Sequence, residues 1–126
     1  MTPLTAPSAP AAVGPYCHAV RTGQLLFCSG QVALDPDTNR LVGGDAASQA
    51  EQVFANVRAV LAAAGVDLGA VVKATVFLAS MDDYPAVNAA YAEAFGAHRP
   101  ARSAVAVAGL PLGALVEIEV IAEVGA

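Results

Sequence analysis

Charge is scarce in this chain. Of 126 residues only six are Lys or Arg, and 13% are charged at all, against roughly 25% in an ordinary soluble domain. The shortage of basic residues and a formal net charge of −5 argue against a nucleic-acid reader, which needs a cationic footprint for phosphates. Cysteine is nearly absent. Cys17 and Cys28 are the two present, too few for a disulfide framework, and buried, inert thiols are expected. Cys17 and His18 are adjacent, so on a strand they point to opposite faces and cannot hold one metal ion together. No metal site is expected. No uncharged apolar run reaches the roughly 18 residues of a membrane span. The opening MTPLTAPSAPAAVGPY has no basic n-region and carries four prolines. It reads as neither signal peptide nor helix, so an extended arm over residues 1–13 and a cytoplasmic location are expected.

What is abundant is small apolar surface: 56% of the residues are hydrophobic. The length fits a single domain over residues 1–126. A domain of that size cannot hide so much apolar surface within itself, and burial against identical copies is the simplest remedy.

The patterning gives the order ββ-α-β-α-ββ. YCHAVRTGQLLFCSGQV reads as a hairpin turning at Thr22-Gly23. With a loop of those two residues, paired positions sum to 45, so Tyr16 faces Ser29 and Cys17 faces Cys28. LDPDTNRLVGG is turn chemistry. Asp45 is the expected N-cap of a helix to Ala64. Its apolar face is Ala50, Val53, Phe54, Val57, Val60, Leu61 and Ala64, and Gly65 ends it. A buried strand follows over Ala70–Ser80. A second helix, capped by Asp82 or Asp83, runs to about Ala97, with Ala86 or Val87, Ala90, Tyr91, Ala94 and Phe95 inward. ARSAVAVAG and ALVEIEVIAEV are two further strands around LPLG. Two helices can cover one face of a sheet of about five strands, which leaves the other face for subunits.

Against this background the RPARSAV segment stands out, because two of the few cations sit there and Arg102 opens an apolar strand. A planar fork donating two parallel hydrogen bonds suits a small carboxylate, and a structural ion pair is the competing reading. Glu117 and Glu119 alternate with Val116, Ile118 and Val120, placing both carboxylates on one strand face. A solvated sheet face would account for them equally. Asn88 lies inside the second helix, where its propensity is poor; contact with a site or plain exposure would each explain it. His18 shares a strand face with Tyr16, and a satisfied structural histidine is the favoured reading. His98 and Arg99 fit a solvated loop, or added positive potential at a pocket mouth.

GPY at Gly14–Tyr16, SGQ at Ser29–Gln31, VNAAY at Val87–Tyr91, PARSAV at Pro100–Val105 and LP…VEIEVIA at Leu110–Ala122 resemble the RidA (YjgF) family of reactive-intermediate deaminases. The resemblance spans about Ala11 to Glu123. It implies an α+β, chorismate-mutase-like fold: one sheet of five to six strands, two helices on one face, and a homotrimer with sites at the subunit interfaces. It implies cofactor-free hydrolysis of small 2-imino acids, such as 2-iminobutanoate or 2-iminopropanoate, to 2-oxo acids and ammonia. On that pattern Arg102 grips the substrate carboxylate and Glu117 positions the attacking water. Tyr16, Ser29 and Asn88 line the pocket, Gly30 supplies backbone, and Ala104 stands where a cysteine is common. The loop before Arg102 is shorter than in the archetypes, and Cys17-His18 replaces an aliphatic-Gln pair. Two other readings stay open: a non-catalytic trimer binding a small carboxylate or acting as a regulator, and a member working on a larger biosynthetic substrate. The acidic balance disfavours the ribonuclease activity claimed for some relatives.

Overall fold

In the computed structural model, residues 1–125 are described. They form a six-stranded mixed sheet with two α-helices. The strands are β1 (Thr2–Leu4), β2 (Ala19–Thr22), β3 (Leu25–Cys28), β4 (Val71–Leu78), β5 (Ala101–Ala106) and β6 (Val116–Glu123), in the spatial order β1-β2-β3-β6-β4-β5. All neighbours are antiparallel except β4 and β5, which run parallel. Parallel neighbours need a crossover, and α2 (Tyr84–Phe95) supplies it. None of the helices described is long and apolar enough to cross a membrane.

α1 (Ala46–Ala63) starts where the sequence predicts. The Asp45 carboxylate accepts from the Ser48 N–H at 2.9 Å, satisfying one of the orphan donors of the first turn. Past Ala64, Gly65 takes φ +77°, the left-handed conformation that ends a helix without Cβ strain. α2 begins differently from expectation. A 3₁₀ turn, Met81–Asp83, precedes it, and Ser80 caps that turn through Asp82 N–H, while Asp83 makes no side-chain cap. Pro85 sits in its first turn, where a missing N–H costs nothing.

One face of the sheet carries the core. Ala74, Val76 and Leu78 of β4 pair with Val120, Ile118 and Val116 of β6, and all six are buried in one cluster with α1 and α2. Phe54 anchors it, meeting the rings of Tyr91 and Phe95 edge-on at 5.8 and 5.7 Å. Such pairs add about 0.5–1.5 kcal/mol each beyond their buried area. The opposite face is open: Phe27 and Val105 are 44% and 45% exposed, and Leu25 and Val72 are exposed too.

Two further expectations are corrected. The hairpin turns at Gly23-Gln24, with Gly23 at φ +58° in the first turn position, as a type II′ turn requires. The register is therefore two residues off the expected one. Cys28 faces Ala19, not Cys17. β2 starts only at Ala19, so Tyr16 and Ser29 are not a strand pair; Ser29 N–H instead donates to the His18 carbonyl at 2.9 Å. Secondly, the arm is not merely extended. Thr2–Leu4 adds an edge strand against β2, with Pro3 at an edge, where proline is tolerated. The apolar strand that Arg102 opens is an edge strand, since β5 ends the strand order.

Candidate active site

The predicted site residues fall into two groups on opposite faces of the sheet. Arg102, on β5, pairs with the buried Ala74 and so lies on the helix side. Its Nη1 donates to Asn88 Oδ1 and its Nη2 to the Tyr84 hydroxyl, both at 2.7 Å. Its guanidinium carbon stands 4.8 Å from the centre of the Tyr91 ring and 5.6 Å from that of Tyr84. Tyr84, Asn88 and Tyr91 recur at four and three along α2, which puts them on one helical stripe. Every hydrogen-bond partner of the guanidinium is neutral. Among the described residues, the structural ion pair that the sequence left open is not formed. Ala104, two residues along β5, pairs with Val76 and packs half-buried on the same side.

Glu117, on β6, pairs with Phe77 and alternates with the buried Val116 and Ile118, so it lies on the open side. Burial, reinforced by the nearby Glu119 charge, pushes its carboxyl above the ordinary carboxylate range. Glu119 itself is exposed. Gly30 lets the Glu117 carboxyl approach the backbone closely. A Cβ built on it would collide with Glu117 Oε2, and Glu117 Cδ would lie 3.0 Å from it. The next residue, Gln31, locks this approach by exchanging backbone hydrogen bonds with Ile118 at 2.9 and 3.1 Å.

Glu117, Gly30 and Tyr16 line one cavity of about 270 Å³. Its walls are the arm residues Pro10–Val13, with Val32 and Leu34 behind and Leu112 at the rim. Leu112 holds φ +60°, an uncommon conformation for a residue with a branched side chain, and is exposed. Tyr16 is half exposed. Ser29 is half-buried and turns its hydroxyl to the Cys17 carbonyl at 2.7 Å. A groove of similar size between α1 and α2, lined by residues such as Glu51, Arg58 and Glu93, contains none of the predicted site residues.

His18 is both a structural residue and a cavity wall. It is 3% exposed; its Nδ1 accepts from Ala6 N–H at 2.8 Å and its Nε2 lies 2.7 Å from the Pro10 carbonyl. That pairing requires the neutral tautomer protonated at Nε2. His98 bonds the Val71 carbonyl at 2.7 Å, and Arg99 folds back onto the Gly96 and His98 carbonyls. Both stabilise the loop before β5.

Sequence reasoning missed three contributors. Tyr84 is one. The others are the buried polar residues of α1, Asn56 and Gln49. Asn56 Nδ2 donates to the Val32 and Leu34 carbonyls at 3.1 and 2.9 Å, and Gln49 Oε1 accepts from Leu115 N–H at 2.9 Å. They tie down the two loops that border the Glu117 cavity. Their signal was present: both interrupt the three-and-four apolar stripe of the helix with an amide.

Comparison with known proteins gives the family and the fold. Residues 6–124 match the family described as Endoribonuclease L-PSP. The chain is 46% identical over 122 residues to the mouse 2-iminobutanoate/2-iminopropanoate deaminase, covering 97% of this chain and 90% of that one. It is 48% identical over 122 residues to protein HMF1 of Saccharomyces cerevisiae, covering 97% and 94%. Among solved structures, RidA from an Antarctic Psychrobacter superposes with TM-score 0.93 at 42% identity, covering 98% of this chain and 99% of the other. The YjgF gene product of E. coli superposes with TM-score 0.90 at 40% identity, covering 98% of each.

Proposed function

The chain belongs to the RidA (YjgF/L-PSP) family, and from that premise we propose that it is a cofactor-free deaminase. Its substrates are reactive 2-imino acids such as 2-iminobutanoate and 2-iminopropanoate, hydrolysed to 2-oxo acids and ammonia. The observation that carries the reading is the state of Arg102. A half-buried guanidinium is held by two neutral oxygens and an aromatic face, with no acid among the described residues to neutralise it. Placing a fixed, unneutralised fork costs stability unless an external anion completes it, and a 2-imino acid carries one carboxylate. The mouse deaminase at 46% identity supports the same class of substrate.

Glu117 supplies the proton chemistry. A carboxyl held above the ordinary carboxylate range by burial is a stronger base than a free one, which suits it to take a proton from water and return it. Water adds through oxygen to the imine carbon while Glu117 takes one of its protons. That proton passes to nitrogen to give a carbinolamine; the remaining O–H proton follows through the same carboxylate to nitrogen as the C–N bond breaks, so ammonia leaves and the C=O bond forms. Tyr16 and the Gly30 backbone border the same cavity.

Arg102 and Glu117 lie on opposite faces of one sheet, so a single small substrate reaches both only when they come from different copies. The site is therefore assembled between subunits, each a single RidA-like domain over residues 1–126, within a homotrimer. The exposed apolar residues of the open sheet face support that assembly.

The test is a coupled assay. An amino-acid oxidase or threonine dehydratase generates the imine, and purified protein is expected to accelerate 2-oxo acid release. Tight binding of 2-oxo acids with no acceleration would replace the enzyme with a carboxylate-binding protein.

A further inference from the structure

We propose that Tyr84 is a second recognition residue for the substrate carboxylate, working beside Arg102; the inference deepens the imine reading and rests on it. Arg102 has five N–H donors. Two are engaged, one on Nη1 by Asn88 Oδ1 and one on Nη2 by the Tyr84 hydroxyl. Each terminal nitrogen keeps a second N–H for a ligand.

The Tyr84 oxygen accepts from Nη2 at 2.7 Å and, among the described residues, makes no other hydrogen bond. A phenol that accepts still carries its own proton. That O–H stands beside Nη2 with no protein acceptor among the described residues. A carboxylate arriving at Nη2 therefore meets two donors, the remaining N–H and the phenol O–H. An O–H donated to an anion is among the shorter and stronger hydrogen bonds.

The placement is rigid. Tyr84 is the first residue of α2, entered through the Ser80-capped turn and followed by Pro85. Asn88 lies one turn further on, so the two oxygens stand on one stripe and each takes one arm of the fork. Tyr91 supplies the face beneath. A phenylalanine at position 84 would keep the wall and lose both the acceptor for Nη2 and the donor for substrate.

The test compares wild type, Tyr84→Phe and Arg102→Ala, using 2-oxobutanoate as a stable carboxylate probe in calorimetry, beside the coupled assay and a thermal melt. Tyr84→Phe should weaken 2-oxobutanoate binding and raise KM by about tenfold, the usual scale for a hydrogen bond to a charged group. Its kcat should stay within about twofold and its melting temperature should fall only slightly, since water can take the N–H freed at the half-buried Nη2; a merely structural role would lower the melting temperature without the tenfold effect on binding. The neutral probe 2-oxobutanamide should bind wild type weakly and respond little to Tyr84→Phe. If Tyr84→Phe binds 2-oxobutanoate like wild type while Arg102→Ala does not, Tyr84 has no such role and the imine reading stands. Loss of kcat at unchanged KM would also overturn the Tyr84 role. If Arg102→Ala binds like wild type, or wild type does not bind 2-oxobutanoate, the reading of the site falls and this inference with it.

Discussion

Arg102 and Glu117 occupy strands that flank β4 and face opposite ways. Arg102 pairs with Ala74, which is buried under the helices, and Glu117 pairs with Phe77 on the other side. If the site joins an arginine of one subunit to a glutamate of the next, two inactive variants should complement. Arg102→Ala and Glu117→Gln, each alone, are expected to lose about 10²-fold or more in turnover. Refolded together at equal concentration, they should recover about a quarter of wild-type activity. Each site draws from two subunits, so about one site in four receives both intact partners. A mixture as dead as its components would place the site within one chain.

The open sheet face predicts the oligomeric state. Phe27 lies beside Ile121 in register and Val105 beside Phe77, both on the face away from the helices. Light scattering on wild type should give about three times the 12.6 kDa chain mass. Phe27→Glu puts a charge into that surface and should shift the protein towards 12.6 kDa and abolish turnover, while far-ultraviolet circular dichroism stays unchanged. A stable wild-type monomer at micromolar concentration would remove the basis for an interface site.

Glu117 should leave a signature in stability as a function of pH. Burial raises its carboxyl above the reference 4.5 that holds in the unfolded chain. Between 4.5 and the folded value the native state holds more protons than the unfolded one, so stability falls as pH rises through that window. Above it, the cost of the buried charge is fully present. Glu117→Gln removes that cost. The variant should melt slightly higher than wild type at pH 7, with the gap closing as pH drops below 4.5. The effect is small, because the group is half exposed and solvent screens it. A gap that widens on acidification would reverse the assignment.

His18 fastens the arm to the cavity. His18→Ala leaves the Ala6 N–H and Pro10 carbonyl buried without partners, which should cost about 2–4 kcal/mol. Glutamine offers both a donor and an acceptor, and His18→Gln should recover part of that loss. Hydrogen exchange at Leu4 and Ala6 should accelerate in His18→Ala and much less in His18→Gln. Equal protection in both variants would show that the arm is held by packing alone.

The elements of this protein were legible in its sequence wherever the determining physics is local. Asp45 and Gly65 mark the ends of α1 through backbone groups only a few residues away. The apolar stripes of both helices and the alternation of β6 follow from the periods of helix and strand. The charge-poor composition raised the expectation of a covered second surface, and the motif around Arg102 that of a carboxylate ligand; both belong to the proposal. The hairpin register was not legible, because Thr22-Gly23 and Gly23-Gln24 are both acceptable two-residue loops. The choice falls to β1 and β6, which flank the hairpin and share its pairing. Tyr84 was not legible either. Its hydroxyl matters only because α2 is laid across β5 so that an oxygen meets Nη2, a distance no sequence spacing encodes. The sequence by itself determined the residue types and the periods that place them on faces. Only the tertiary structure decided which face: Arg102 and Glu117, each on an alternating strand, came to lie on opposite sides of one sheet, because strand order and register are fixed by contacts between segments far apart in the chain.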